Sequence, residues 1–216
     1  MKTFHFTICF FLLPLLILQC SASASDKIAQ VIPVTESPES GFDSTRLTVE
    51  LPRQIKQLKK FIQSQNGKYS AKVAVFIDMR IPSRHYRFFV VDLIKDSIMD
   101  RVLVAHGAGS ETDTPDSLVF SNTPNSYMTS LGTYKIGASY IGNFGRSFRL
   151  NGLDPTNNKA LARAVVLHRY SCIPEEEQDY PICTSLGCPM ISEGFFPEME
   201  KYIDASSKPI LMEIYY

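Results

Sequence analysis

Apolar and polar positions change their spacing along the chain, and each change marks an element. Ile8 to Leu18 is an apolar run interrupted at Pro14, with Lys2 before it and Ala22-Ser23-Ala24 after it. A basic start, a short apolar centre and small residues at a cleavage point are the parts of an export signal, here residues 1–24. The run is shorter than a membrane span. A lipoprotein reading would centre on Cys20, but Gln19 stands where a small residue is expected. Residues 25–44 include Pro33, Thr35, Glu36, Ser37, Pro38, Glu39, Ser40 and Gly41 and read as a flexible lead-in.

From residue 45 the pattern is that of a folded domain. Leu47, Leu51, Ile55, Leu58 and Ile62 recur every three or four residues, which predicts a helix over 45–66 with one apolar stripe. Pro52 kinks it or marks its first turn, and Asn66-Gly67 ends it. A β-rich core over 72–216 follows. Val73–Asp78, Tyr86–Leu93 and Met99–Ala105 read as strands, the second and third paired in an antiparallel meander. Pro82-Ser83 and Lys95-Asp96-Ser97 supply the turns. Ser130–Ile136 is a short strand, and Tyr140–Leu150 alternates polar and apolar residues. Asp154-Pro155, a cap followed by a first-turn proline, opens a short helix through Arg163. Phe195, Phe196, Met199, Tyr202 and Ile203 make a helical stripe, and Pro209–Tyr216 closes as a strand. The fold class is mainly β with a few helices.

Composition changes this picture little. With 44% hydrophobic and 20% charged residues, most of the chain is an ordinary globular protein. Lys+Arg and Asp+Glu are both 22, so net charge offers no attraction to nucleic acid. Nothing in the sequence implies a stable protein partner or a cofactor.

The chemistry concentrates in two stretches. Ala164–Tyr170 is an apolar, largely β-branched strand that delivers His168 at its C-terminal end. Thr184-Ser185-Leu186-Gly187-Cys188-Pro189 is a small-residue turn that exposes a thiol and turns its own N–H groups toward whatever the thiol attacks. A histidine near a cysteine lowers the thiol pKa and takes its proton. Cys188 is therefore the expected nucleophile, His168 its base, and the N–H groups of Gly187 and Cys188 the oxyanion donors. Arg146 and Arg149 read either as a solvated face or as guanidinium forks for the carboxylates of a peptide.

Histidine, a short loop and Ser-x-Gly-Cys resemble the signature of the L,D-transpeptidases, the YkuD-type enzymes that cross-link bacterial murein. Ala105-His106-Gly107, Ser121 to Pro124, Leu131 to Tyr134 and Arg149-Leu150-Asn151-Gly152-Leu153 resemble the branch described as the murein L,D-transpeptidase catalytic domain. The likeness runs from Lys72 to the C-terminus. Two positions depart from the better-known enzymes: Leu186 stands where they carry a histidine, and Met190 where they carry an asparagine.

The resemblance implies a YkuD-like, β-sandwich-type catalytic domain in the periplasm or cell envelope. It implies acyl transfer on peptidoglycan stem peptides through a Cys188 thioester, or L,D-carboxypeptidase activity if water replaces the acceptor amine. A non-catalytic murein-binding module is a further alternative, whereas papain-like and NlpC/P60 peptidases place cysteine before histidine. It also implies that His106 lines the cleft and that the Arg169 carbonyl is a candidate to orient His168. Ser185 and Arg169 join His106, Arg146 and Arg149 as expected substrate-binding residues.

Cleavage after Ala24 leaves Cys172, Cys183 and Cys188, an odd number in an exported chain. Connectivity does not follow from sequence, but a Cys172–Cys183 disulfide is the pairing that agrees with the motif. The alternative is a Cys3His zinc site formed by His168, Cys172, Cys183 and Cys188.

Overall fold

The computed structural model describes Met1 and residues 44–216, with side chains from Val49 onward. The expected signal peptide and almost all of the expected lead-in lie outside the described residues. Helix α1 (Ser44–Ser64) is followed by strands β1 (Val73–Asp78), β2 (Phe88–Asp92), β3 (Ser97–Val102), β4 (Gly132–Gly142), β5 (Gly145–Gly152), β6 (Val166–Arg169) and β7 (Met190–Ile191). Helix α2 (Phe196–Ala205) and strand β8 (Leu211–Tyr215) complete the order.

The eight strands form one sheet in the order β3-β2-β1-β8-β4-β5-β6-β7. The β1–β2–β3 meander is antiparallel, as the turn residues predict, whereas β8 pairs parallel to β1 and antiparallel to β4. The segment after β3 reaches the opposite edge, where Ala105 N–H donates to the Met190 carbonyl at 2.9 Å. The sheet is thereby nearly closed into a barrel.

Both faces of β1 are buried, which explains its unbroken apolar run. Val75 and Ile77 face an interior core with Phe88, Val90, Tyr134, Phe148, Leu150, Leu167, Met212 and the α2 residues Phe196 and Met199. Ala74 and Phe76 face the other way, against Leu51, Ile55, Leu58 and Ile62 of α1. The stripe of α1 is therefore packing surface, and Pro52 lies inside the helix rather than at its first turn.

The helix expected over Asp154–Arg163 is a string of turns instead. Asp154 does not cap it: its Oδ2 accepts from Thr133 N–H at 2.6 Å. Asn157 is drawn away too, donating to the Thr133 carbonyl at 2.9 Å and accepting from Asp154 N–H. Tertiary hydrogen bonds to β4 thus outcompete the local helix signal.

Candidate active site

Strand β6 presents His168 at the sheet end, beside the two-residue strand β7 that follows the cysteine turn. His168 and Met190 are paired in parallel register, so the histidine is fixed relative to the turn ending at Pro189. His168 is 2% exposed. Its Nδ1 lies 3.0 Å from the Arg169 carbonyl oxygen. A carbonyl only accepts, so Nδ1 carries the proton and Nε2 carries the lone pair. The Arg169 guanidinium, expected as a substrate contact, lies over the Phe196 ring.

The cysteine turn is built by Ser185. Its N–H and Oγ both donate to the His106 carbonyl, at 2.8 and 3.2 Å, and its Oγ accepts from Gly187 N–H at 3.0 Å. Ser185 is buried and serves the turn rather than facing outward. The Gly187 N–H, expected as an oxyanion donor, is therefore already engaged. The N–H groups of Leu186 and Cys188 carry no hydrogen bond among the described residues. Gly187 has φ +112, and a Cβ there would lie 3.0 Å from the Met128 carbonyl oxygen. Gly107 packs directly on Gly187, so the glycines of the His106 loop admit backbone rather than ligand.

Among the described residues Cys188 is the free thiol, because Cys172 and Cys183 are joined in a disulfide with their Cα atoms 6.2 Å apart. That bond removes two of the four ligands a zinc site would need. The disulfide loop is pinned through Ile173, Ile182 and Cys183 against Leu103, Ala105 and Met190.

No hydrogen bond joins Cys188 to His168. The thiol instead faces the start of β6, accepting from Val166 N–H at 3.5 Å and donating to the Ala164 carbonyl at 3.9 Å. Burial pushes the Cys188 thiol up, against the lowering effects of the Val166 N–H and the Arg163 charge. Burial also holds His168 below the ordinary imidazole value, against the Arg169 carbonyl. Both shifts favour neutral thiol and neutral imidazole over the preformed thiolate that sequence proximity suggests.

Three residues near this pair escape the sequence reading. Phe144, at the β4–β5 hairpin, stacks on His168 with ring centroids 4.2 Å apart. Tyr170 meets both rings edge-on. Arg163 donates to the carbonyls of Ser121 and Met128 and to Ser130 Oγ, tying the 121–130 segment beside the turn. Phe144 two residues after a glycine was the available hint; nothing in the spacing marks Arg163.

The remaining expected residues divide. Arg149 is exposed, shares its sheet face with Val166 and His168 by register, and stacks on Tyr140. Arg146 does not join it: its guanidinium is held by Asp204 through two 2.7 Å bonds and approaches Glu200, both on α2. Its fork is filled by the protein's own carboxylates. His106 is buried and lines a cavity of about 610 Å³ that is not lined by Cys188 or His168.

Residues 47–211 match the family model of the L,D-transpeptidase catalytic domain. No curated protein matches the sequence. Among solved structures, an L,D-transpeptidase from Xylanimonas cellulosilytica is 16% identical, over 68% of this chain and 62% of that one, with a TM-score of 0.38. The helical cell shape determining protein Pgp2 from Campylobacter jejuni is 12% identical over 76% and 56%, with a TM-score of 0.45. An L,D-transpeptidase from Mycobacterium tuberculosis is 16% identical over 67% and 58%, with a TM-score of 0.34. The chain spans less than two thirds of each of these three.

Proposed function

Because the chain belongs to the L,D-transpeptidase catalytic domain family, we propose that it transfers acyl groups of peptidoglycan stem peptides, with Cys188 as nucleophile and His168 as base. The observation that carries this reading is the His168 tautomer. The Arg169 carbonyl holds Nδ1–H, so Nε2 is the atom left to take a proton.

In the proposed first step the thiol turns from the Ala164 carbonyl toward Nε2. Sγ attacks the carbonyl of the third stem residue while Nε2 takes the thiol proton. The negative charge on the carbonyl oxygen falls to the N–H groups of Cys188 and Leu186, with Gly187 kept in place by Ser185. The C–N bond to the terminal D-alanine then breaks, the departing amine receives the proton from Nε2, and a thioester remains. An acceptor amine attacks the thioester, gives a proton to Nε2, and the thiolate leaves and is reprotonated. Arg163 favours the thiolate whenever it forms, because its charge lowers the thiol pKa. Arg149, exposed on the His168 face, is the proposed contact for a stem carboxylate.

Incubation with a murein tetrapeptide tests this reading. The native protein should release D-alanine and form a cross-linked dimer, and folded Cys188→Ala should form none. Release of D-alanine without dimer identifies a carboxypeptidase using the same thioester. Full turnover by folded Cys188→Ala would end the assignment of the nucleophile.

A further inference from the structure

The cavity lined by His106 holds an unusual balance of charge. Arg87 is fully buried at its back, with 0% exposure. Its guanidinium donates to the carbonyls of Val104 and Ile81 and, at 2.8 Å, to His106 Nδ1. Among the described residues no carboxylate hydrogen-bonds to it. The nearest acidic groups are already committed: Asp78 to Arg80, and Asp116 to Arg84 at the cavity wall. The charges of Asp78 and Asp116 offset the cation only in part, through space, in a place where burial is costly.

His106 passes this charge on to the cavity. Since Nδ1 accepts from Arg87, Nε2 must carry the proton. That N–H is buried and has no hydrogen-bond partner among the described residues. Glu111 Oε1 lies 3.7 Å away, beyond hydrogen-bond reach, on a side chain 57% exposed. A buried donor left unsatisfied carries its full desolvation cost. Burial, and then the charge of Arg87, push His106 down to about 3, and burial pushes Arg87 down to about 9.

We propose that this cavity is a ligand site, an anion seat in which His106 Nε2–H, backed by the Arg87 guanidinium, receives a carboxylate of the bound peptide. One cation and one neutral donor match a single negative charge better than a phosphate dianion. The seat is near the nucleophile. Gly107 and Gly187 are in contact, so with consecutive Cα atoms 3.8 Å apart the Cα atoms of His106 and Cys188 are within about 12 Å. Glu111 stands at the entrance as the group a ligand carboxylate would push aside.

The identity of the peptide rests on the murein reading above, so the test is a binding measurement on the inert Cys188→Ala protein, with Arg149→Gln added to remove the other proposed carboxylate contact. A murein tetrapeptide with free carboxylates, and the same peptide with every carboxylate amidated, are titrated by calorimetry. The free acid should bind at least tenfold tighter. Glu111→Gln, at an exposed position, should tighten the acid at least threefold and leave the amide unchanged. His106→Met should abolish the preference, and singly amidated peptides show which carboxylate is seated. Equal binding of acid and amide would overturn the seat while leaving acyl transfer standing. A preference that survives His106→Met would also overturn it. Binding of neither form would overturn both.

Discussion

Phe144 and His168 stack at 4.2 Å between ring centroids, with their planes 22° apart. The phenylalanine is 41% exposed, so it covers the imidazole without belonging to the core. It contributes to the burial that holds His168 below its ordinary value. Neutral imidazole is the form that can accept the thiol proton, and its fraction grows as pH rises through the folded pKa. Phe144→Ala should return His168 toward about 6.5 and move the acid limb of Cys188 acylation to higher pH. Intact-mass measurement of β-lactam acylation across pH gives the profile. An acid limb that stays in place would show that Phe144 does not set the base.

Gly187→Ala should damage both stability and reactivity. Alanine at φ +112 is strained, and its Cβ meets the Met128 carbonyl oxygen and Arg163 Nη2. The cost should be roughly 1–3 kcal/mol. Because the neighbouring residue is Cys188, relief of the clash shifts the thiol. Thermal unfolding and iodoacetamide labelling should report a lower Tm and an altered labelling rate together. A variant matching the native protein in both would contradict the strain.

Glu213 gives the fold a pH dependence of opposite sign to that of a paired carboxylate. Burial pushes it up to about 7, against the hydrogen bond from Thr133 Oγ at 2.6 Å, with Asp154 adding to the rise. The folded state then binds the proton more tightly than the unfolded chain, whose Glu titrates near 4.5. The stability contributed is complete below that value and is lost as pH climbs through about 7. Glu213→Gln keeps an acceptor for Thr133 without a charge. It should be more stable than the native protein at pH 8 by about 1–2 kcal/mol, and nearly equal at pH 4. Chemical denaturation at the two pH values checks this, and an unchanged pH slope in the variant would exclude Glu213 as its source.

What the sequence makes legible is what depends on neighbours along the chain. The β1 strand has its observed bounds, and the α1 stripe places Leu51, Ile55, Leu58 and Ile62 in the core. His168 at a strand end and Gly187 before Cys188 are legible for the same reason. Contacts between distant segments are not. Asp154-Pro155 carries every local sign of a helix start, yet Thr133, 21 residues away, captures the cap. Arg146 offers a free fork on paper and is filled by Asp204, 58 residues on. Arg87 is indistinguishable from a surface arginine until the segment bearing Val104 and His106 folds over it.

The position of β8 has a consequence for synthesis. Leu211–Tyr215, the strand latest in sequence, inserts between β1 and β4 rather than adding to an edge. Ala74 must wait for Leu211, its register partner. Until then β1-β2-β3 and β4-β5-β6-β7 meet only at the far edge, through bonds such as that from Ala105 to Met190, and the edges of β1 and β4 stay open, where they are prone to wrong pairing. The nucleophile turn and His106 lie at that far edge, where Ser185 bonds to the His106 carbonyl. The sheet that frames this edge is therefore complete only when Leu211–Tyr215 is in place.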